Sequence, residues 1–104
     1  MALDDLDLAE RSSDRTTVIG AGTTAIVGAN KSRISATFVN DSNETIYLAL
    51  GIPAVMNQGI RLNANGGAFT IGKENPWRGE VNGICASGTK NLCVIEVNSS
   101  YGNQ

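Results

Sequence analysis

The sequence predicts an all-β fold: an antiparallel β-sandwich of about eight short strands, with the jelly roll as one form of it, preceded by an extended N-terminal arm. Three observations carry this expectation. Twelve glycines and an abundance of Thr, Ser, Asn, Val and Ile suit pleated strands joined by tight turns and disfavour long helices. From Arg15 onward, apolar residues recur with a period of two, the signature of strands with one buried face. Polar and glycine-bearing clusters interrupt that alternation at short, regular intervals. A chain of 104 residues makes one domain, near the small end of what sustains a core without disulfides, metals or partner subunits, so oligomerisation is expected.

Residues 1–14 read as an arm and residues 15–104 as the β domain. The arm interleaves Leu3, Leu6 and Leu8 with Asp4, Asp5, Asp7 and Glu10, and has no glycine. Leu3, Leu6 and Ala9 would make one short helical stripe, which is marginal alone; a terminus that orders only on a partner fits as well. Residues 16–19 and 23–27 supply the first strands. In Arg33–Asn40 the alternation sends Ile34, Ala36 and Phe38 to one face and Arg33, Ser35 and Thr37 to the other. The turn cluster at 40–44 then predicts an antiparallel hairpin with residues 45–50, whose Ile46, Leu48 and Leu50 extend the core face.

Residues 51–59 form a loop by their Pro53 and glycines, yet carry Ile52, Val55 and Met56, so the loop either folds back on the core or meets another chain. Ile60–Leu62 and Ala68–Ile71 flank Asn65-Gly66-Gly67, which permits a tight reversal and predicts a second hairpin. After the break at Asn75-Pro76, residues 77–86 and 92–97 read as a final hairpin about Ser87-Gly88-Thr89-Lys90-Asn91. The tail from Asn98 is polar. Four Asn-x-Ser/Thr sequons, at Asn30, Asn40, Asn43 and Asn98, read as polar turns.

Charge and composition exclude several functions. With a formal net charge of -2 there is no basic field to gather phosphates, so no nucleic acid partner is expected. No basic-apolar leader and no apolar run of about 20 residues is present, which predicts a soluble chain made in the cytoplasm with no membrane partner. The absence of histidine removes the commonest general base, the Ser-His-Asp and Cys-His arrangements, and the usual zinc ligands. Neither catalytic residues, nor a cofactor, nor a metal site is expected, and the chain is read as a non-enzyme. A carboxylate hydrolase would need Glu80 and Glu96 to face each other across a cleft. Gly20-Ala21-Gly22 lacks the third glycine and the helix of a dinucleotide site, and the acidic arm lacks the glycine turn of a calcium loop.

Two further features stay open on sequence alone. Cys85 and Cys93 lie symmetrically about Thr89, so a simple hairpin register would set them opposite one another, as a cross-strand disulfide or as two buried thiols; cytoplasmic synthesis favours the thiols. Trp77, between Pro76 and Arg78, closes the end of the sandwich, or serves as a sugar platform or interface anchor.

The run Arg33-Ile34-Ser35-Ala36-Thr37-Phe38-Val39-Asn40-Asp41-Ser42, continuing through Ile46-Tyr47-Leu48 to Gly59-Ile60-Arg61-Leu62-Asn63-Ala64-Asn65-Gly66-Gly67, resembles small structural proteins of tailed-bacteriophage virions. Trp77-Arg78-Gly79-Glu80-Val81-Asn82-Gly83-Ile84 with Leu92-Cys93-Val94-Ile95-Glu96 resembles their closing hairpin. The resemblance spans residues 33–96 and rests on the spacing of apolar residues and turns. It implies a capsid decoration (cement) or head-fibre protein, most often a homotrimer, located in the virion and bound to the major capsid protein or another virion protein. On that footing the partner-binding residues are Leu3, Leu6 and Leu8 of the arm, Ile52, Val55 and Met56 of the apolar loop, and Trp77. The alternative is a receptor- or glycan-binding module of a tail fibre, neck or baseplate, with Trp77 and the polar loops as its contact surface.

Overall fold

The computed structural model describes residues 9–99. Within them are nine strands and no helix: β1 (Ala9–Asp14), β2 (Thr17–Ile19), β3 (Thr24–Val27), β4 (Arg33–Asn40), β5 (Ile46–Leu50), β6 (Ile60–Leu62), β7 (Ala68–Ile71), β8 (Val81–Cys85) and β9 (Lys90–Ser99). They form two antiparallel sheets. The first runs β1-β9-β4-β7, with β2 also paired to β9; the second runs β3-β8-β5-β6. β1 lies beside residues 95–99 of β9 and β2 beside residues 90–92, so the two act as one interrupted edge strand. Counted so, antiparallel partners nest outward from β5–β6 through β4–β7 and β3–β8 to β1/β2–β9. That is a long hairpin rolled into two sheets, the order of a jelly roll. The all-β sandwich expected from the sequence is the fold.

The inner faces enclose one core. Phe38, Ile46, Leu48, Val81, Cys85, Leu92 and Ile19 are fully buried, with Ile26, Val27, Ala36, Leu62, Ile71 and Val94 beside them. Phe38 and Phe69 oppose each other across β4 and β7, ring centroids 6.1 Å apart. Gly83 lets the β8 backbone pass under Ile26: a Cβ there would stand 2.9 Å from the Ile26 Cδ1.

The three expected hairpins do not form. β4 and β5 lie in different sheets, as do β6 and β7, and β8 and β9. The connections between them cross the sandwich, and they are stitched to one another at one end. Asn40 donates its side-chain amide to the carbonyls of Glu44 (2.7 Å) and Leu62 (3.0 Å). The backbone amides of Asn65, Gly66 and Asp41 reach Ser42, Asn40 and Asn91. Asn40, read as a turn sequon, is thus wholly buried.

Two local expectations also change. Arg33, expected on the wet face of its strand, is 1 % exposed, while Ile34 is only half-buried. The register of β4 against β9 shifts between Arg33 and Ser35, and this irregularity reverses the facing of residues before it. Residues 9–14, expected as the end of the arm, are strand β1, paired with β9 in the first sheet. Leu3, Leu6 and Leu8 lie outside the described residues.

Candidate functional site

At the end of the sandwich opposite the Asn40 turns, Arg33 ties together three segments that no strand ladder joins. Its Nε donates to Glu96 Oε2 at 2.7 Å. Nη1 donates to the carbonyls of Trp77 (3.0 Å) and Gly79 (2.9 Å), and Nη2 to that of Gly28 (2.7 Å). A planar guanidinium suits this arrangement because its donors leave in fixed, divergent directions. Glu96 meets Arg15 Nε at 3.3 Å through its other oxygen; the Arg15 side chain is 50 % exposed, those of Arg33 and Glu96 only 0 % and 2 %. Burial pushes the Glu96 carboxyl up, but hydrogen bonds from Arg33 and Asn30 and the charge of Arg33 outweigh it and hold the group below its ordinary value of 4.5. Glu96 is therefore a charged anchor, unsuited to giving up a proton near neutrality. Glu80 is exposed and accepts from Asn82. The two carboxylates serve separate local networks.

Beside Glu96 lies a cavity of about 410 Å³ lined by Arg15, Ile26, Val27, Gly28, Ala29, Asn30 and Asn98. Asn30 is bound within it, donating to Asn98 Oδ1 at 2.8 Å and accepting from the Ser32 amide at 2.9 Å. Among the described residues no group of three or more Cys, Asp or Glu is placed to hold a metal ion.

The loop between β5 and β6 folds over the outer face of the second sheet. Ala54 and Met56 pack there on Ala49, Ile84 and Tyr47. The Ala54 amide donates to Thr23 Oγ1 at 2.8 Å and the Ile52 carbonyl accepts from Asn82 at 2.8 Å. Anchored at these points, the loop leaves Ile52 62 % and Val55 48 % exposed. The structure thus separates three residues that the sequence grouped: Ile52 and Val55 face outward, and Met56 helps hold the loop down. Trp77 is half-buried against the main core. Its Nε1 donates to the Glu80 carbonyl at 3.0 Å, and its ring approaches so closely that a Cβ on Gly79 would stand 2.6 Å from it, and one on Gly51 3.0 Å.

Among the described residues, the outer face of the first sheet has no such cover. Its outward positions are Val18 on β2, Ser35, Thr37 and Val39 on β4, Ala68 and Thr70 on β7, Asn91, Cys93, Ile95 and Val97 on β9, and Ser12 and Asp14 on β1, and the Asp41 carboxylate lies 3.8 Å from the Cys93 Sγ. Val18 is 57 % and Ile95 43 % exposed. A depression of about 240 Å³ opens there, lined by Asp14, Thr16, Thr37, Val39, Cys93, Val94 and Ile95.

Cys93 belongs to this face, whereas Cys85 points into the core from the other sheet, its Sγ 3.4 Å from the Ile19 carbonyl; both are free thiols. The register that would have paired them does not exist, because β8 and β9 are not neighbours. Comparison with protein-family models, with curated proteins and with solved structures finds no match to this chain. Sequence reasoning missed the Arg33–Glu96 anchor and the bare sheet face. The first was hidden by the strand irregularity at Arg33. The second was detectable only as alternating Cys93, Ile95 and Val97, which without strand order have no assigned neighbours.

Proposed function

We propose that this chain is a non-enzymatic structural protein of a tailed-bacteriophage particle, a homotrimeric capsid decoration protein that binds and stabilises the capsid surface. The supporting observation is the loop tip at Ile52 and Val55. Two large apolar side chains are held out in solvent by a loop anchored at the Ala54 amide and the Ile52 carbonyl, and neighbouring exposed apolar groups of this kind suit a protein contact. Jelly rolls build viral capsid domains and lectins alike, so the fold agrees with this reading and the surfaces must carry it. A second reading, a glycan- or receptor-binding module, draws on the 410 Å³ cavity, of a size suited to small-molecule ligands and rimmed by Arg15, Asn30 and Asn98.

Light scattering followed by binding to undecorated parent capsids tests the proposal. A trimer that saturates capsid sites supports it. A monomer that ignores capsids, or binds an isolated glycan instead, overturns it.

A further inference from the structure

The cavity beside Glu96 has a polarity that its hydrogen bonds fix step by step. The Ser32 amide donates to Asn30 Oδ1 at 2.9 Å, and a backbone N–H only donates, so this bond sets the orientation of the Asn30 carboxamide. The Asn30 Nδ2 then donates to Asn98 Oδ1 at 2.8 Å. Asn98 keeps its own Nδ2, which has no partner among the described residues. Glu96, its side chain 2 % exposed, spends one oxygen on Arg33 Nε at 2.7 Å and the other on Arg15 Nε at 3.3 Å. Arg15 gives only its Nε to this pair, and its two terminal nitrogens are unpaired among the described residues. Each of these side-chain acceptors on the cavity wall therefore already holds a donor, whereas the groups left over, Arg15 Nη1 and Nη2 and Asn98 Nδ2, are donors.

Charge runs the same way. Two guanidiniums meet one carboxylate, which leaves one positive charge at a wall where Arg15 and Glu96 are the charged lining residues. On β1, Arg11 stands directly across from Asn98, so its exposed side chain lies on the same face of the sheet and adds a second cation beside the cavity.

We infer that the cavity is a binding site for an acidic sugar, whose carboxylate is held by Arg15 and Asn98. The inference rests on the second reading above, that this cavity takes a ligand, and names the class of that ligand; it does not depend on the trimer. An ionised carboxylate accepts hydrogen bonds and never donates them, which matches a set of spare donors, and the free end of the Arg15 fork suits its two oxygens. A neutral sugar offers donors and acceptors alike and finds no such match. At about 410 Å³ the cavity is larger than a carboxylate alone needs and falls in the range of small-ligand sites. Ile26, Val27, Gly28 and Ala29 supply an uncharged wall for the apolar face of a ring. Ring hydroxyls, which both donate and accept, can use the second lone pairs of Glu96 and of Asn98 Oδ1.

The test titrates the full chain with glucuronate, galacturonate and N-acetylneuraminate, with glucose and acetate as controls, and follows backbone and side-chain amide signals by NMR. Two variants accompany it. Arg15→Gln removes a half-exposed side chain and leaves Glu96 its buried partner Arg33. Asn98→Asp keeps the oxygen that accepts from Asn30 and replaces only the spare donor. The amide spectrum of each variant also reports its folding. Expected results are saturable shifts of the Asn30 and Asn98 amides with at least one sugar acid, none with glucose, and loss of the response in both variants. Sugar acids that bind the folded variants as they bind the wild type overturn the site. Glucose binding as strongly as the acids overturns the carboxylate assignment and leaves the glycan reading standing, and acetate binding as strongly overturns the sugar assignment. No response to any of the sugars overturns this inference and the glycan reading together.

Discussion

Arg33→Met is expected to destabilise the fold by about 3–5 kcal/mol, the range found when one partner of a buried ion pair is removed. Methionine keeps the volume and the aliphatic stem, so the cavity contribution is small and the loss is electrostatic. Glu96 would remain 2 % exposed with only Arg15 opposite it, 3.3 Å away on a half-exposed side chain screened by water. The carbonyls of Gly28, Trp77 and Gly79 would each lose a charged donor. A domain of this size has roughly 5–15 kcal/mol in total, so the change consumes about a fifth of it or more. With a urea m-value of about 1.5 kcal/mol/M, the unfolding midpoint falls by about 2–3 M. Measurements need a fixed protein concentration, because any oligomer adds concentration-dependent stability. Arg33→Met/Glu96→Leu should recover part of the loss, since no buried charge is then unpaired, but not all of it, since the three carbonyls stay unsatisfied. A single variant within about 1 kcal/mol of wild type, or a double variant as unstable as the sum of the two singles, would refute this account.

Two further outcomes follow from the same geometry. Because the Glu96 carboxyl titrates lower in the folded chain than its ordinary 4.5, its stabilisation is complete above that value and fades as pH falls through the folded one; Glu96→Gln should flatten this part of the acid limb in denaturation series from pH 7 to 3, and an unchanged slope argues against the ionised anchor. With Cys85 sealed in the core, its thiol pushed up by burial, and Cys93 half-exposed, a thiol reagent should modify one cysteine per native chain and the second only on unfolding; two unreactive thiols would mean a bridge the fold does not permit.

The strands were legible because each buries one face, and period-two alternation records that directly. Arg33–Asn40, Ile60–Leu62 and Ala68–Ile71 match the expected bounds. Pairing was not legible for a specific reason. Alternation reports which side of a strand is wet but not which sheet the strand joins, and in a jelly roll sequential strands repeatedly cross from one sheet to the other. Turn signals at 40–44, 63–67 and 87–91 are real, yet they serve crossings rather than tight reversals, the first two fastened by Asn40 and the third by Glu44 and Asp41. β1 escaped notice because Ala9-Glu10-Arg11-Ser12-Ser13-Asp14 has no apolar alternation; its strand character comes from the long edge that β9 offers. Of the exposed apolar residues, Ile52 and Val55 were legible as apolar groups in a loop otherwise built for solvent. Ile95 was indistinguishable from a core residue until Val94 and Glu96 were seen to take the inner positions.

The buried ion pair and the exposed loop tip are mechanically connected. Arg33 fixes the carbonyls of Trp77 and Gly79. The Trp77 ring in turn packs against Gly51, the first residue of the loop, whose amide donates to the Glu80 carbonyl at 2.9 Å. Gly51 adopts φ of +76°, a conformation glycine takes without strain, and the chain turns there to present Ile52. A buried pair is weak grounds for stability by itself, since apolar replacements often do as well. Its value here is positional: it holds the end of the sandwich in one arrangement, so that under the proposed function the apolar tip would meet a partner already ordered, with little entropy lost on contact.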